Sequence, residues 1–393
     1  MQSEIILTGG MRTPFGDFGK SLKDIPLAGL GIHATKACLD KVGLKADDVD
    51  HLVWGNVLPV DQEGYLAARY IAIEAGLPVE SAALNVSRAC GSGSQAIITA
   101  AEQILSGHGE VAIAGGGENF SRAPFAVTSG RWGHKRGPQT MVDTLDWAYR
   151  DPFSLQLMGE TVENLAEDNQ YQRAPMDEYA LTSQQRAGAA RGFLARHIAP
   201  IEVREKKATR MMAEDEYPRP QVTLEKLSGM QPVFRENGMV TAGNSSGVTD
   251  GAAMVVVAER SKAEALGVEP VARIVDWEIV GVPPRIMGCG PVPAIRKLLD
   301  KHELKSGDID YSEINEAFAV VNLHAEKQLG VSRERCNLYG GGISIGHPPG
   351  ATGARMTLVA MQHLAESDQD KAVISMCMGA GQGLAMLIER VRH

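Results

Sequence analysis

Part of this chain is repeated within it. Residues 39–50 read LDKVGLKADDVD and residues 299–310 read LDKHELKSGDID, and seven of the twelve positions are identical at a constant offset of 260. Each copy is predicted to contain the end of a helix and to precede a strand. Two similar halves packed face to face would bring equivalent turns to one shared cleft. A chance match over twelve residues is the alternative interpretation.

Bulk composition narrows the class of protein. A chain of 393 residues is too long for one simple core and indicates two or three domains. The net charge of −9 argues against a protein that binds the nucleic-acid backbone, whose surface would be basic. No apolar run approaches the ~18 residues needed to cross a bilayer, so we expect no membrane partner.

The chain has 43 glycines and many short Val, Ile and Ala runs that alternate with helical patterns. This alternation predicts an α/β protein. The predicted strands include residues 53–55, 82–86, 111–114 and 372–375, and the predicted helices include residues 27–41, 94–105, 177–191 and 293–301. Residues 122–243 differ, since they hold a proline-rich stretch and the basic run 131–136. So long an insertion predicts a functional loop domain.

The cysteine usage indicates a reducing, cytoplasmic setting. Five cysteines without regular spacing make a disulfide framework improbable, and no Cys/His cluster has metal-binding spacing, so we expect no metal. Residues 1–10 lack the charged start of a signal peptide, and residues 391–393 are not a peroxisomal tripeptide.

Cys90 is the candidate nucleophile. It lies in Ala89-Cys90-Gly91-Ser92-Gly93, between a predicted strand and a predicted helix. Backbone N–H groups and the positive end of the helix dipole favour a thiolate at such a turn. The small neighbours would let a bulky thioester approach closely. A buried structural cysteine is the alternative.

Three further motifs supply the groups that an acyl transfer needs. His347, before a helix expected to begin near residue 354, could accept the thiol proton. Cys377, expected after a strand that ends at residue 376, could move a proton at the α-carbon of a thioester. The N–H of Gly379, with that of Cys90, could stabilise an oxyanion, and Asn315 could hold a water for a second oxyanion hole. Glu316 is interpreted as structural.

Taken together, these motifs resemble the thiolase family over residues 1–393. The resemblance also covers Gly115-Gly116-Gly117-Glu118-Asn119-Phe120-Ser121 and the segment Thr241–Gly247. It implies a thiolase-like five-layered αβαβα sandwich of two duplicated halves. Residues 1–121 with 244–270 would form the N-terminal half, 122–243 the inserted loop domain, and 271–393 the C-terminal half.

The resemblance also implies binding residues and ligands. Coenzyme A would be a substrate and product, with no tightly bound cofactor, and its pantetheine arm would reach Cys90 through a tunnel. The matching CoA and acyl-pocket residues are Arg219, Ser246, Met158, Ala317 and Phe318. Two departures stand out: Leu157 replaces a histidine of acetoacetyl-specific members, and Lys226 replaces a serine of the coenzyme A loop.

The expected function is thiolytic cleavage of 3-ketoacyl-CoA, or the reverse condensation of acetyl-CoA, through an acylated Cys90. A decarboxylating ketosynthase is one rival, although it would carry histidine in place of Cys377. A catalytically silent CoA- or lipid-binding protein of the same fold is another, although it should lack a reactive side chain. Residues 122–145 resemble the family's tetramerisation loop, so a homotetramer is expected and a dimer is the alternative.

Overall fold

The structure, a computed structural model, describes residues 4–205 and 208–392. The expectations placed on residues 1–3 and on His393 lie outside these described residues. The strands are β1 (Ile5–Arg12), β2 (Gly16–Asp17), β3 (His51–Gly55), β4 (Ala82–Val86), β5 (Val111–Glu118), β6 (Phe125–Ala126), β7 (Val142–Asp143), β8 (Ile201–Glu205), β9 (Ala208–Met212), β10 (Thr249–Glu259), β11 (Ala272–Gly281), β12 (Tyr311–Ile314), β13 (Lys371–Met378) and β14 (Gln382–Arg390). The helices are α1 (Leu27–Val42), α2 (Ala67–Ala75), α3 (Ser92–Leu105), α4 (Thr144–Ala148), α5 (Met158–Asp168), α6 (Arg173–Ala189), α7 (Arg191–Ala195), α8 (Leu224–Ser228), α9 (Arg260–Ala265), α10 (Pro291–Lys301), α11 (Ala319–Leu329), α12 (Gly342–Ile345) and α13 (Pro349–Glu366).

The main sheet consists of two blocks with the same strand order. The N-terminal block runs β4-β3-β5-β10-β1 and the C-terminal block runs β12-β13-β14-β11. In each block a parallel pair, β3 with β5 or β12 with β13, is followed by two antiparallel pairs. A parallel bridge between Ser312 and Cys336 takes the place of β4 in the second block. The blocks meet where Ile6 and Leu7 of β1 pair with β11.

The repeated segments adopt the same structure in both halves. Residues 46–48 and 306–308 each form a 3-10 turn between a helix and a strand. Strands β5 and β13 start 260 residues apart, at Val111 and Lys371. The internal repeat therefore reflects two similarly folded halves, as predicted.

Five layers follow from the alternation of side chains along the strands. In β10, Val255 and Val257 pack in the cluster that contains α3 and α13, whereas Met254 and Val256 pack in the cluster that contains α1 and α2. In β14, Met386 faces the α3/α13 side, and Leu387 faces α10 on the other side. The order is thus α1/α2, first block, α3/α13, second block, α10/α11, which is the predicted αβαβα sandwich.

The two central helices touch backbone to backbone near their amino termini. A Cβ atom added to Gly93 of α3 would lie 2.5 Å from the carbonyl oxygen of Gly350, and one added to Gly353 of α13 would overlap the backbone nitrogen of Ser94. Gly93 and Gly353 are related by the same offset of 260. Only glycine permits this approach, which sets the distance between the turns that precede α3 and α13.

Residues 122–243 add no strand to the main sheet within the described part of the chain. They hold the two small sheets β6-β7 and β8-β9 and the helices α4 to α8. Side chains of α5 and α6 share a cluster with residues 317–321 and Cys377. The insertion therefore packs over the ends of β12 and β13.

Replacing Gly353 by alanine should destabilise the protein by roughly 3 kcal/mol, because the new methyl group overlaps the backbone of α3. The free energy of unfolding in urea would measure this loss. Gly192→Ala is the matched control, since no atom lies within 4 Å of a Cβ added there. Equal stability of the two variants would contradict the glycine contact as a structural constraint.

Candidate active site

Cys90 lies on a strained turn immediately before α3. The preceding residue, Ala89, has a φ of 45°, which is in the left-handed region and unfavourable for a side chain with a Cβ. Two hydrogen bonds hold the turn: the Arg88 N–H donates to Ser92 Oγ at 2.9 Å, and that hydroxyl donates to the Ala89 carbonyl at 2.7 Å. The turn presents the partly buried Cys90 thiol to a cavity.

The environment of Cys90 favours a neutral thiol. Burial raises its pKa to about 11, and the N–H groups of Gly379 and of Cys90 itself oppose this rise by hydrogen bonding to the sulfur. In the free protein, desolvation therefore outweighs the stabilisation of a thiolate that we predicted from the helix terminus. Gly379 lies where the sequence predicts it, with its N–H directed at the candidate nucleophile.

His347 lies just before α13, which begins at Pro349 rather than near residue 354 as predicted. Its Nδ1 is 2.7 Å from Oγ1 of Thr352, and that hydroxyl donates to the Pro348 carbonyl at 2.9 Å. Because the hydroxyl proton is used in this way, Nδ1 carries the imidazole proton and donates to Thr352. Nε2 is left as an acceptor and faces the Asn315 amide nitrogen at 3.3 Å.

A neutral imidazole whose Nε2 is unprotonated can accept a proton. Burial, with a smaller effect of the Arg355 guanidinium, lowers the pKa of His347 to about 3. The imidazole and the Cys90 thiol line the same cavity, and both are uncharged at neutral pH. The resting site therefore lacks a preformed ion pair.

Asn315 follows β12 and is buried. Its amide nitrogen contacts His347, whereas its side-chain oxygen has no hydrogen-bond partner among the described residues. The neighbouring Glu316 accepts hydrogen bonds from Tyr179 at 3.1 Å and from Ser183 at 2.6 Å. Glu316 thus ties α6 of the insertion to the Asn315 turn, as its structural interpretation requires.

Cys377 is the last residue but one of β13, and does not follow the strand as predicted. Its side chain is fully buried. Burial raises its pKa well above the usual value, and the Cys90 thiol adds to that rise. The structure therefore brings the second thiol into the electrostatic range of the first.

A cavity of about 370 Å³ opens at Cys90. Of the ten predicted site residues, seven line it: Cys90, Met158, Ser246, Ala317, Phe318, His347 and Gly379. Asn315 and Cys377 lie outside its lining. The Ser246 N–H donates to the Ala317 carbonyl at 2.9 Å, so the predicted pantetheine loop and the Asn315 turn form one wall.

Arg219 is away from the cavity. Its guanidinium folds back to donate to the carbonyl oxygens of Glu216 at 2.6 Å and Tyr217 at 2.7 Å, and it pairs with Asp17 at 3.1 Å. About half of its side chain is exposed. Its predicted contact with the nucleotide end of coenzyme A stays a prediction.

Several lining residues were not predicted from the sequence. They are mostly apolar and come from residues 122–243 and from other connecting segments: Val57, Phe120, Leu145, Tyr149, Phe234, Val248 and Met287. Phe120 lies inside the recognised Gly115–Ser121 stretch, which could have suggested it. Leu157 also lines the cavity, so no imidazole stands at that position.

Among residues 4–205 and 208–392, no group of three or more His, Cys, Asp or Glu side chains is arranged to hold a metal ion. No helix in that part of the chain is long and apolar enough to cross a membrane.

Comparison with known proteins defines the class. Residues 5–261 match the thiolase N-terminal domain and residues 268–390 match the thiolase C-terminal domain. The chain is 42% identical over 394 residues to the beta-ketothiolase BktB of Cupriavidus necator, with 100% of each chain covered. It superposes on the crystal structure of human mitochondrial 3-ketoacyl-CoA thiolase with a TM-score of 0.96 and 39% identity, covering 99% of this chain and 100% of the other. The human enzyme in complex with CoA gives a TM-score of 0.95, at 39% identity and with 99% and 98% covered.

These matches, with the fold and the paired thiols, define an acyltransferase on the thiolase fold. The chain belongs to the thiolase family. The predicted family and fold class are confirmed.

The neutral state of Cys90 leads to a pH prediction. With a pKa near 11, the thiolate fraction should increase about tenfold per pH unit from pH 7 to 10. The rate of Cys90 alkylation by iodoacetamide, followed by peptide mass spectrometry, should increase in the same way. A rate that is already constant above pH 7 would instead indicate a preformed thiolate–imidazolium pair.

Proposed function

We propose that this thiolase cleaves 3-ketoacyl-CoA with coenzyme A, and catalyses the reverse condensation of acetyl-CoA, through an acyl-Cys90 intermediate. The observation that carries the proposal is the shared cavity. It presents the Cys90 thiol, an imidazole with an unprotonated Nε2 and the N–H of Gly379 to one largely apolar space. These groups are a nucleophile, a base and a hydrogen-bond donor to an oxyanion, and one substrate in the cavity could contact all three.

In the first step, Nε2 of His347 accepts the Cys90 proton as the sulfur attacks the 3-keto carbon. The negative charge that develops on the carbonyl oxygen is stabilised by the N–H groups of Cys90 and Gly379, which already hydrogen-bond the sulfur in the free protein. Desolvation makes a free thiolate unfavourable, so proton transfer coupled to attack avoids that charge. The tautomer fixed by Thr352 keeps Nε2 available.

In the second step, the bond between the α- and β-carbons breaks, which leaves an acyl thioester on Cys90 and the carbanion of acetyl-CoA. Cys377 donates its proton to that carbanion. The carbanion's charge is stabilised as an enolate by His347 and by a water that Asn315 holds, for which the unpaired side-chain oxygen of Asn315 is available. A fresh coenzyme A thiol then gives its proton to the Cys377 thiolate and attacks the acyl-Cys90 thioester. The bond between the acyl carbon and the Cys90 sulfur breaks, and Cys90 recovers its proton from His347.

Coenzyme A is proposed as a substrate and product, with no tightly bound cofactor. A human relative has been crystallised in complex with CoA. We assign Ser246, Met158, Ala317 and Phe318 to the pantetheine arm and the acyl group because they line the cavity, and Arg219 to the nucleotide end. We also propose the predicted division of the chain, with the insertion 122–243 carrying the CoA site.

The two rival functions receive less support. A decarboxylating ketosynthase would carry histidine where this chain has Cys377. A silent CoA- or lipid-binding protein would lack one of the reactive groups, whereas Cys90, His347, Asn315 and Cys377 are all present.

The two cysteines should have separable roles. Cys90→Ala should abolish thiolysis and condensation, because no acyl-enzyme can form. Cys377→Ala should still become acylated at Cys90 but lose carbon–carbon bond cleavage by about 10³-fold or more, because no group moves the α-carbon proton. The absorbance of acetoacetyl-CoA follows cleavage, and mass spectrometry follows acylation.

Cys38→Ala is the control for these variants. Cys38 is a buried thiol of α1, on the outer side of the N-terminal block and away from the cavity. It should keep near-normal turnover. Ordinary thiolysis by either of the other two variants would overturn the assigned roles.

We further propose a homotetramer in a cytoplasmic, reducing setting. The five cysteines are all free. Within the segment that resembles the tetramerisation loop, Trp132 is 87% exposed and Met141 is 65% exposed. Large apolar side chains at such exposure are typical of a surface that a second copy covers.

Trp132→Asp should therefore convert tetramers to dimers, because the charge would be buried without a partner. Size-exclusion chromatography with light scattering should give four times the chain mass of 42.1 kDa for the wild type and twice that mass for the variant. If the variant has the same mass as the wild type, Trp132 is not part of the interface. A monomeric wild type would refute the proposed homotetramer.

A further inference from the structure

One polar side chain stands out in the apolar wall of the cavity. Tyr149 follows helix α4 of the insertion and lines the cavity together with Cys90. Its ring packs against Phe120, with centroids 5.5 Å apart and planes inclined by 60°. Its carbonyl accepts from the Met158 N–H at 2.9 Å. The phenol is thus held in place from both its backbone and its ring.

The hydroxyl of Tyr149 has no hydrogen-bond partner among residues 4–205 and 208–392. The acids that also line the cavity are engaged elsewhere. Asp146 pairs with Arg150 at 2.6 Å, and Asp143 accepts from the Leu145 N–H at 2.9 Å. A phenol donor in a largely apolar site usually has a partner. The hydroxyl is not among the fully buried atoms, so water can supply the partner in the free protein and a bound molecule can replace that water.

This hydroxyl is a donor at any working pH. Burial raises the pKa of Tyr149 well above its usual value, and the nearby Cys90 thiol and Glu118 carboxyl add to the rise. The phenol stays protonated and neutral, so it offers a hydrogen bond without a charge.

The charges around the cavity select against an anionic acyl chain. Among the described residues that line it, none is Lys or Arg, whereas Asp143 and Asp146 are present. A terminal carboxylate would lose its hydration and meet acids without a cation to pair with. A neutral oxygen avoids this cost and can accept a hydrogen bond from the phenol.

We propose that Tyr149 is a specificity-determining residue, and that the cavity takes 3-ketoacyl groups with an uncharged hydrogen-bond acceptor, such as a hydroxyl, beyond the reacting carbonyl. This inference rests on the proposed function and deepens it. The amide carbonyls of the pantetheine arm are the other acceptors within a CoA thioester. They are common to every substrate and so can be separated by experiment.

The test compares thiolysis of six-carbon 3-ketoacyl-CoA probes that are unsubstituted, hydroxylated at carbon 5 or carbon 6, or carry a carboxylate at carbon 6. For the wild type, at least one hydroxylated probe should have a higher kcat/KM than the unsubstituted probe, and the carboxylate probe should have the lowest. Tyr149→Phe should lower the ratio of hydroxylated to unsubstituted kcat/KM about fivefold, the usual size of one neutral hydrogen bond.

Tyr217→Phe is the matched control, because Tyr217 packs on Gly247 and does not line the cavity. It should leave the ratio unchanged. An equal fall for all probes in Tyr149→Phe would assign the phenol to the pantetheine arm and overturn the proposal. An unchanged ratio would also overturn it.

The wild type alone keeps the proposal testable if Tyr149→Phe does not fold. Preference for the unsubstituted or the carboxylate probe would refute it without any variant. Cleavage of the unsubstituted probe tests the proposed function separately. If that cleavage occurs with no hydroxyl preference, only the present inference fails, and if no probe is cleaved, both fail.

Discussion

The approach of α3 to α13 is the contact on which the active site depends. Each helix begins directly after a turn that carries a reactive side chain, Cys90 in one half and His347 in the other. Gly93 and Gly353 allow the two backbones to touch, and a methyl group at either position would overlap the backbone of the other helix. Since the turns are fixed to the helices, this contact sets the separation of sulfur and imidazole.

A second constraint ties the same region to the first sheet block. The buried Glu118 carboxylate, at the end of β5, accepts from the N–H groups of Val57 at 2.7 Å and Gly350 at 3.2 Å, and from the Asn56 amide at 2.9 Å. Burial raises its pKa to about 8, and these donors act in the opposite direction. One side chain thus joins β3, β5 and the start of α13.

Burial also determines the protonation states of the side chains in the free site. Desolvation by burial raises the pKa of both thiols and lowers that of His347. Side chains that are neutral at rest need no counter-ion, and in the proposed mechanism they become charged only when the substrate is bound. The cavity can therefore stay largely apolar, as acyl groups require, with Tyr149 as its one tyrosine donor among the described lining residues.

Local patterns in the sequence determined much of this protein. The repeat at an offset of 260 and the alternating strands predicted an α/β protein of two similar halves, and the glycine-rich turns indicated the reactive groups. The five layers and the pocket residues followed from the resemblance to thiolases. The errors were also local: α13 begins at Pro349, because proline is well suited to the first turn of a helix, and β13 extends through Cys377. Only the tertiary structure decided the protonation states and the hydrogen-bond partners of those groups. The neutral thiol, the imidazole tautomer, the turned-back Arg219 and the Tyr149 phenol each depend on residues far away in the chain, because desolvation and hydrogen-bond partners arise only once separate elements pack together.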